Sequence, residues 1–346
     1  MNKAEAHNAY PSVRTAGSPP SVEPWLGSID FLWIELTPRC NLKCSHCYAD
    51  AGPSLPVHQT MSYENWVDVL RQACDLGCRS VQFTGGEPSL YEDLPALLRE
   101  SRTIGFKSVE VFTNGTHLPR KLRHALVKEG VDLAFSVYGS CKEVHDPITG
   151  SSGSFAKSLR SICWALKAGL GVRVAVIEMP FNAANIPATK RLLSRIGVHS
   201  ICVDGVRGVG RGNGDARLRG RALLGELCGE CWRGKLAVHP DGNVSPCIFS
   251  RFRRVGHVSQ SLASILNSEH LHSFRREVRE MSIRTGKTPS TKGPCAPMKQ
   301  PCAPLKTPCA PLKKPCAPLK TQCAPLKTPC APLKKLWAPL VPEKKK

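Results

Sequence analysis

Apolar residues in the first two thirds of the chain follow two alternating patterns. Short runs such as FLWIEL from Phe31, SVQFTG from Ser80 and VRVAVIEM from Val172 are rich in β-branched and aromatic residues, which is typical of buried strands. Between the runs, stretches such as YENWVDVLRQACDLG from Tyr63 place apolar residues three and four positions apart, which predicts amphipathic helices. Six such β/α units predict a parallel sheet, and right-handed crossovers would curve it into a partial (β/α)6 barrel.

The pattern changes after Gly214. A helix-like stretch reaches Leu227, and two short strand-like runs flank the turn sequence PDGN. The stretch QSLASILNSEHLHSFRREVREM predicts one closing helix. The fold class expected is therefore α/β, with a small α+β extension. The expected boundaries are a disordered leader at 1–25, the barrel at 26–215, the extension at 216–285 and a disordered tail at 286–346.

The tail repeats one heptapeptide, roughly C-A-P-L-K-x-P, with cysteines seven residues apart from Cys295 to Cys330. Two prolines in most repeats exclude a coiled coil, because each removes a helical hydrogen bond. A polyproline-like chain would place successive thiols roughly 20 Å apart, at about 3.1 Å per residue. Disorder is the simplest interpretation. The alternatives are a source of loose metal ligands and an attached, substrate-like peptide.

Composition narrows the class of protein. No run of about 18 apolar residues suggests a membrane span, and the N-terminal sequence lacks the apolar stretch of a secretion signal, so a cytoplasmic location is expected. In a reducing compartment, 17 cysteines indicate metal binding or catalysis rather than disulfides. The net charge is +21, but the residues from Thr291 onward supply 12 Lys against 1 Glu. Basic residues elsewhere are scattered, so we do not expect a nucleic-acid partner.

The first cysteine cluster follows the first predicted strand. The sequence LTPRCNLKCSHCY places Cys40, Cys44 and Cys47 in C-x3-C-x2-C spacing. Three thiolates on one loop can hold three irons of a 4Fe–4S cluster and leave the fourth iron open. A zinc knuckle with His46 as the fourth ligand is the alternative.

This loop, with Tyr48 directly after the last cysteine, resembles that of the radical S-adenosylmethionine (SAM) superfamily. The elements FTGGEP, FTNGT, FSVYGS and GVRVAVIE follow in the order of that family, and the resemblance covers roughly residues 30–215. It implies a barrel whose active site lies at the carboxyl ends of the strands. Ordinary turns and core packing are the alternatives for these elements. The residues that the resemblance assigns to SAM binding are Tyr48, Gly85, Gly86, Glu87, Pro88, Asn114, Ser136 and Arg173.

Three of these assignments carry a specific role, and one position departs from the family. In the family, the backbone of the G-G-E-P element and its Glu, here Glu87, bind the SAM amino group. Ser136 would contact the SAM ribose or carboxylate, and Arg173 would bind the SAM carboxylate. Tyr138 stands where the family usually has Asp, so no role is transferred from that Asp.

A second cysteine cluster resembles the first half of the SPASM extension of radical SAM proteins, which binds auxiliary iron–sulfur clusters. The spacing of Cys228, Cys231, Gly242 and Cys247 carries this resemblance. The dense second half is missing, and the next cysteine is Cys295. We therefore expect one auxiliary cluster, held by Cys228, Cys231, Cys247 and Cys295. A zinc hairpin is the alternative.

The resemblance also implies an activity. Family members cleave SAM reductively at the 4Fe–4S cluster to a 5′-deoxyadenosyl radical, which removes a hydrogen atom from a substrate. SPASM-type members mostly modify ribosomally made peptides by crosslinking, epimerisation or oxidation, so a peptide substrate is expected, with flavodoxin or ferredoxin as electron donor. A haem precursor or another small molecule is the alternative substrate. A non-catalytic iron–sulfur or metal-binding protein with a basic docking tail is the alternative class.

The remaining cysteines of the barrel divide into two groups. Cys141 lies in the loop after the fourth strand, where a thiol could donate a hydrogen atom to a substrate radical. The others lie on predicted helices or strands and are expected to pack in the core: Cys74, Cys78, Cys163 and Cys202.

Overall fold

The computed structural model describes residues 25–214 and 223–286. The expected leader, the heptapeptide repeat and Cys295 lie outside the described residues. What the sequence predicts for them therefore stays a prediction.

One sheet runs through both described ranges. Its strands are β1 Phe31–Glu35, β2 Ser80–Thr84, β3 Ser108–Thr113, β4 Asp132–Ser136, β5 Val172–Glu178, β6 Ser200–Gly205, β7 Lys235–Val238, β8 Asn243–Ser245 and β9 Gly256–His257. Their order across the sheet is β6-β5-β4-β3-β2-β1-β7-β8-β9. Neighbours from β6 to β7 are parallel, and β8 and β9 are antiparallel. With β6 and β9 at opposite edges, the described sheet stays open, which confirms the predicted partial barrel.

Helices connect the strands. They are α1 Tyr63–Asp75, α2 Leu94–Ile104, α3 Arg120–Lys128, α4 Lys142–Thr149, α5 Ser154–Lys167, α6 Ile186–Arg195, α7 Leu262–Leu266 and α8 Glu269–Thr285. The predicted closing helix is wrong in one respect, because it is divided into α7 and α8. Ser268 causes the division, since its hydroxyl caps the amino end of α8 by accepting a hydrogen bond from the backbone of Leu271.

The two faces of the sheet differ in polarity. Alternate strand residues such as Ile34, Phe83 and Leu133 pack with the helices in the main apolar core. The opposite, inner face buries polar side chains, among them Gln82 and Glu110. Burying a polar group without a hydrogen-bond partner costs free energy of folding. Polar side chains on the inner face therefore indicate a role other than apolar packing.

The strand β7 joins the C-terminal extension to the barrel. It pairs in parallel with β1, with Phe31 opposite Lys235 and Ile34 opposite Val238. Because the two strands are parallel, the turn after β7 and the loop after β1 lie at the same end of the strands, the carboxyl end. None of the described helices has the length and apolar content needed to cross a membrane.

Candidate functional site

The loop after β1, residues 37–50, carries the first three cysteines and is called the Cys loop below. Cys40, Cys44 and Cys47 are free thiols in a small apolar cluster with Leu42 and Ala51. Burial, and then the nearby charge of Glu87, raises the pKa of Cys40 to about 12.

Two parts of the chain outside the predicted site residues hold the Cys loop in place. Arg211, which follows β6, donates from Nε to the Cys44 carbonyl at 2.8 Å and from its backbone to the Cys47 carbonyl at 2.9 Å. The end of α4 accepts hydrogen bonds from Lys43 and Ser45, each at 3.1 Å. The sequence indicated Arg211 only by its position after the sixth strand, where β/α barrels carry functional loops.

The GGEP loop, residues 85–88, packs directly on the start of the Cys loop. The backbone of Gly86 donates to the Thr37 carbonyl at 2.6 Å, and that of Glu87 donates to the Arg39 carbonyl at 2.9 Å. Gly85 has a φ of 136°, and a Cβ there would lie 2.7 Å from the Thr37 oxygen. A Cβ at Gly86 would overlap the Arg39 carbonyl. Both glycines are therefore required for this close approach of two backbones.

Replacing Gly86 with alanine should separate the two loops. We expect a loss of about 1–3 kcal/mol in the free energy of unfolding, because the new methyl group overlaps backbone rather than a flexible side chain. We also expect weaker SAM binding. Urea unfolding and SAM titration would measure the two effects. Gly205→Ala is the control, since a Cβ there meets nothing within 4 Å. Equal behaviour of the two variants would contradict the expectation.

Glu87 is fully buried, and its carboxylate is bound by protein groups. It accepts hydrogen bonds from the Thr113 hydroxyl at 2.6 Å, the Asn114 backbone at 2.8 Å and the Ser89 backbone at 3.1 Å. Burial raises its pKa. In the structure, Glu87 thus ties the end of β2 to the end of β3. Its predicted contact with the SAM amino group stays a prediction.

Asn114 connects the end of β3 to the Cys loop. Its side-chain nitrogen lies 3.7 Å from Cys40 Sγ and donates to Asn41 Oδ1 at 2.8 Å. Its Oδ1 accepts from the backbone of Thr116 at 2.8 Å. Asn114 is therefore close enough to affect a metal bound by Cys40, because hydrogen bonds to cysteine sulfur change the reduction potential of a cluster.

The donor set of the Cys loop fits an iron–sulfur cluster. The three thiols are soft ligands, which iron–sulfur clusters prefer over harder oxygen donors. Burial, and then the neighbouring Cys47, raises the pKa of Cys44 to about 12, so that thiol is protonated at neutral pH unless a metal replaces the proton. The fit concerns the chemistry of the ligands, because among the described residues no three or more His, Cys, Asp or Glu side chains converge on the position of a single metal ion.

Ser136, Tyr138 and Cys141 lie together after β4. Ser136 ends β4, and the buried Tyr138 lies beside both Ser136 and Cys44. The Tyr138 ring meets that of His46 at 4.8 Å. Cys141 is 5% exposed at the N-cap of α4. The structure therefore places Tyr138 against the Cys loop, and the hydrogen-donor role of Cys141 stays a prediction.

Arg173 is bound by another buried side chain. It is the second residue of β5 and lies opposite Ala134, two residues before the end of β4. Its Nε and Nη2 each donate to the buried carboxylate of Glu110 at 2.7 Å. The structure therefore pairs Arg173 with Glu110, and its predicted contact with the SAM carboxylate stays a prediction.

Two cysteines of the second cluster are in direct contact. Cys231 and Cys247 are buried with their sulfurs 3.1 Å apart. Hydrogen bonding to Cys228 and then to Cys247, together with burial, raises the pKa of Cys231 well above its usual value. The structure thus places Cys228 and Cys247 beside Cys231. Their role as ligands of an auxiliary cluster stays a prediction, and Cys295 lies outside the described residues.

A buried charge network between the two clusters was not predicted. Glu35, the last residue of β1, is bound by Nδ1 of His239 and by Nη2 of Arg251. Burial alone would raise the pKa of Glu35, but Arg251 and His239 lower it to about 2. Because both partners follow β7, this network fixes the extension to the barrel. A cavity of about 360 Å³ beside it is lined from both parts, by Thr37 and Pro38 and by Asp241 and Arg251.

Comparisons with known proteins agree with this geometry. Residues 34–186 match the family model of the radical SAM superfamily, and residues 228–296 match that of SPASM, an iron–sulfur cluster-binding domain. Together the two matches span well over half of the 346 residues.

Two curated relatives illustrate the similarity. The chain is 28% identical over 277 residues to the antilisterial bacteriocin subtilosin biosynthesis protein AlbA of Bacillus subtilis (strain 168), covering 70% of this chain and 60% of AlbA. It is 30% identical over 178 residues to the Fe-coproporphyrin III synthase of Methanosarcina barkeri (strain Fusaro / DSM 804). That match covers 51% of this chain and 44% of the synthase. The chain thus spans about half the length of the curated relatives it matches.

A solved structure shows the same fold. The crystal structure of Streptococcus suis SuiB bound to precursor peptide SuiA aligns with a TM-score of 0.59 over 71% of this chain and 66% of that chain, at 16% identity. This likeness concerns the fold alone. The two family matches show that the chain belongs to the radical SAM superfamily and carries a SPASM-type iron–sulfur cluster-binding domain.

Proposed function

We propose that the protein is a radical SAM enzyme that modifies a ribosomally made peptide. The observation that carries the proposal is the meeting of the Cys loop, the GGEP loop and Asn114 at the carboxyl ends of β1, β2 and β3. Cys40, Cys44 and Cys47 would hold the 4Fe–4S cluster, and SAM would bind beside it. When bound, the cluster and SAM supply the one-electron chemistry that removes a hydrogen atom from carbon.

The protein's own residues would bind and position these groups. The two glycines let the backbone of the GGEP loop approach the Cys loop, and Glu87 fixes that loop to the end of β3. Asn114 would donate a hydrogen bond to the sulfur of Cys40. The Tyr48 ring packs against Phe249, which would keep water away from the side of the Cys loop that faces the extension.

The names of relatives support a peptide substrate. AlbA belongs to the biosynthesis of a bacteriocin, and SuiB was solved with a precursor peptide. The match to AlbA also extends over more of this chain than the match to Fe-coproporphyrin III synthase. That second relative supports a haem precursor as the alternative substrate. The outcome for a peptide, whether crosslinking, epimerisation or oxidation, and a flavodoxin or ferredoxin electron donor remain parts of the proposal.

Anaerobic reconstitution with iron and sulfide tests the activity directly. With SAM and dithionite, the loaded protein should form 5′-deoxyadenosine and methionine even without substrate, and omission of dithionite should abolish both products. Candidate peptides encoded beside the gene, and a tetrapyrrole haem precursor as the competing substrate, would then be analysed by mass spectrometry. A fully loaded protein that leaves SAM intact would refute the enzyme proposal. Turnover of the haem precursor but of no peptide would refute the substrate class.

A further inference from the structure

The loop after Cys247, residues 247–254, reaches across to the Cys loop and contacts Tyr48. The Phe249 ring lies edge-on to the Tyr48 ring, with centroids 5.1 Å apart and an interplanar angle of 66°. The Arg251 guanidinium lies 5.9 Å from the centre of the same ring. Both contacts are of the kinds that stabilise aromatic side chains in a fixed orientation.

Arg251 is itself held in place by buried polar groups. Arg251 binds the buried Glu35 at the end of β1. Glu35 also binds His239, whose Nε2 lies 2.7 Å from the Ser245 hydroxyl, and that hydroxyl donates to the Cys247 carbonyl at 2.9 Å. A continuous series of polar contacts therefore joins the backbone at Cys247 to the guanidinium that faces Tyr48.

Tyr48 is confined from the other side as well. A Cβ at Gly210 would overlap the carbonyl oxygens of Cys47 and Tyr48, so the segment after β6 packs against this part of the backbone. The Tyr48 hydroxyl is buried next to Thr84 at the end of β2. Because the backbone and the hydroxyl of Tyr48 are both enclosed, contacts with the 247–254 loop determine the remaining orientation of its ring.

We propose that Phe249 and Arg251 of the extension are positioning residues for SAM, and that they act through Tyr48. The inference rests on the proposed function and on the implied contact of Tyr48 with SAM. The ring directly follows the third cysteine of the Cys loop, so a change in its orientation would change the surroundings of a cluster and SAM bound there. The extension then contributes to SAM affinity without touching SAM, in addition to binding its own cluster.

Phe249→Leu is the direct test, because leucine keeps the apolar contact but removes the ring. In anaerobically reconstituted full-length protein without reductant, SAM titration should show affinity weakened about two- to tenfold, the range of an aromatic pair. Iron content should be unchanged. Phe252→Leu is the matched control, since Phe252 lies in the same loop, is 37% exposed and should leave affinity unchanged. Phe249→Tyr keeps the ring and should restore wild-type affinity.

A double-mutant cycle distinguishes positioning from a general structural effect. If Phe249 acts through Tyr48, the loss caused by Phe249→Leu should disappear in a Tyr48→Leu background. The electron paramagnetic resonance spectrum of the reduced cluster should also change less on SAM addition in Phe249→Leu than in wild type. Equal SAM affinity of wild type and Phe249→Leu, or fully additive losses, would overturn the inference alone. A wild type that binds no SAM would overturn the proposed function as well.

Discussion

Replacing Cys40, Cys44 or Cys47 with alanine should abolish reductive cleavage of SAM, and each replacement should do so alone. The Cys loop offers three thiols, and a 4Fe–4S cluster with one open iron needs all three. Each single loss leaves two protein ligands, which cannot keep the open iron in a defined place. We expect 5′-deoxyadenosine to fall to the level of the reaction without reductant, measured by chromatography with mass detection.

The control for this experiment is Cys163→Ala. Cys163 is a partly buried thiol on α5, and its loss should leave SAM cleavage within about twofold of wild type, since a small surface-facing change costs little stability. Iron counting should be run on each variant, because the auxiliary cluster retains its own iron. Full SAM cleavage by a reconstituted Cys44→Ala protein would disprove the assignment of the Cys loop.

Replacing Glu35 with glutamine should lower the free energy of unfolding at pH 7 by about 3 kcal/mol. The folded pKa of Glu35 is about 2, against 4.5 for an unpaired glutamate. A depressed pKa means that the charged form stabilises the fold, so this contribution is fully present above about pH 4.5 and is lost as the pH falls towards 2. A shift of this size corresponds to about 3 kcal/mol.

Urea unfolding of wild type and Glu35→Gln at pH 7 and near pH 3 would measure this contribution. The difference between the two proteins should be large at pH 7 and should shrink at the lower pH. Glu269→Gln is a suitable control, because the Glu269 side chain is 73% exposed and its ion pair with Arg276 lies at the surface. A difference that did not change with pH would mean that the Glu35 charge is not the source of the stability.

The sequence was informative wherever function depends on residues near each other in the chain. The β/α alternation predicted the partial barrel, and close cysteine spacing predicted both thiol clusters. The helix α4 was missed, since the stretch KEVHDPIT is short, polar and contains Pro147.

Contacts between distant residues could not be predicted in this way. Glu35 binds His239 and Arg251 from 204 and 216 residues away, and nothing in the periodicity of β1 indicates which cations will reach its end. His239 was visible in the sequence only as the neighbour of a turn. Arg173 is a similar case, because nothing in the periodicity of β5 indicates that its guanidinium binds the buried Glu110 of β3.

The parallel pairing of β7 with β1 limits how this protein can be divided. The boundary near residue 215 separates two sequence families, but it does not separate two folding units, since β7 and β8 belong to the sheet of the barrel. A barrel cut before β7 would leave β1 as an exposed edge, with Phe31 and Trp33 no longer covered by Phe274 and its neighbours. The extension is therefore not an interchangeable module, and recombining it with another barrel would require a compatible β1 edge as well as compatible cysteines.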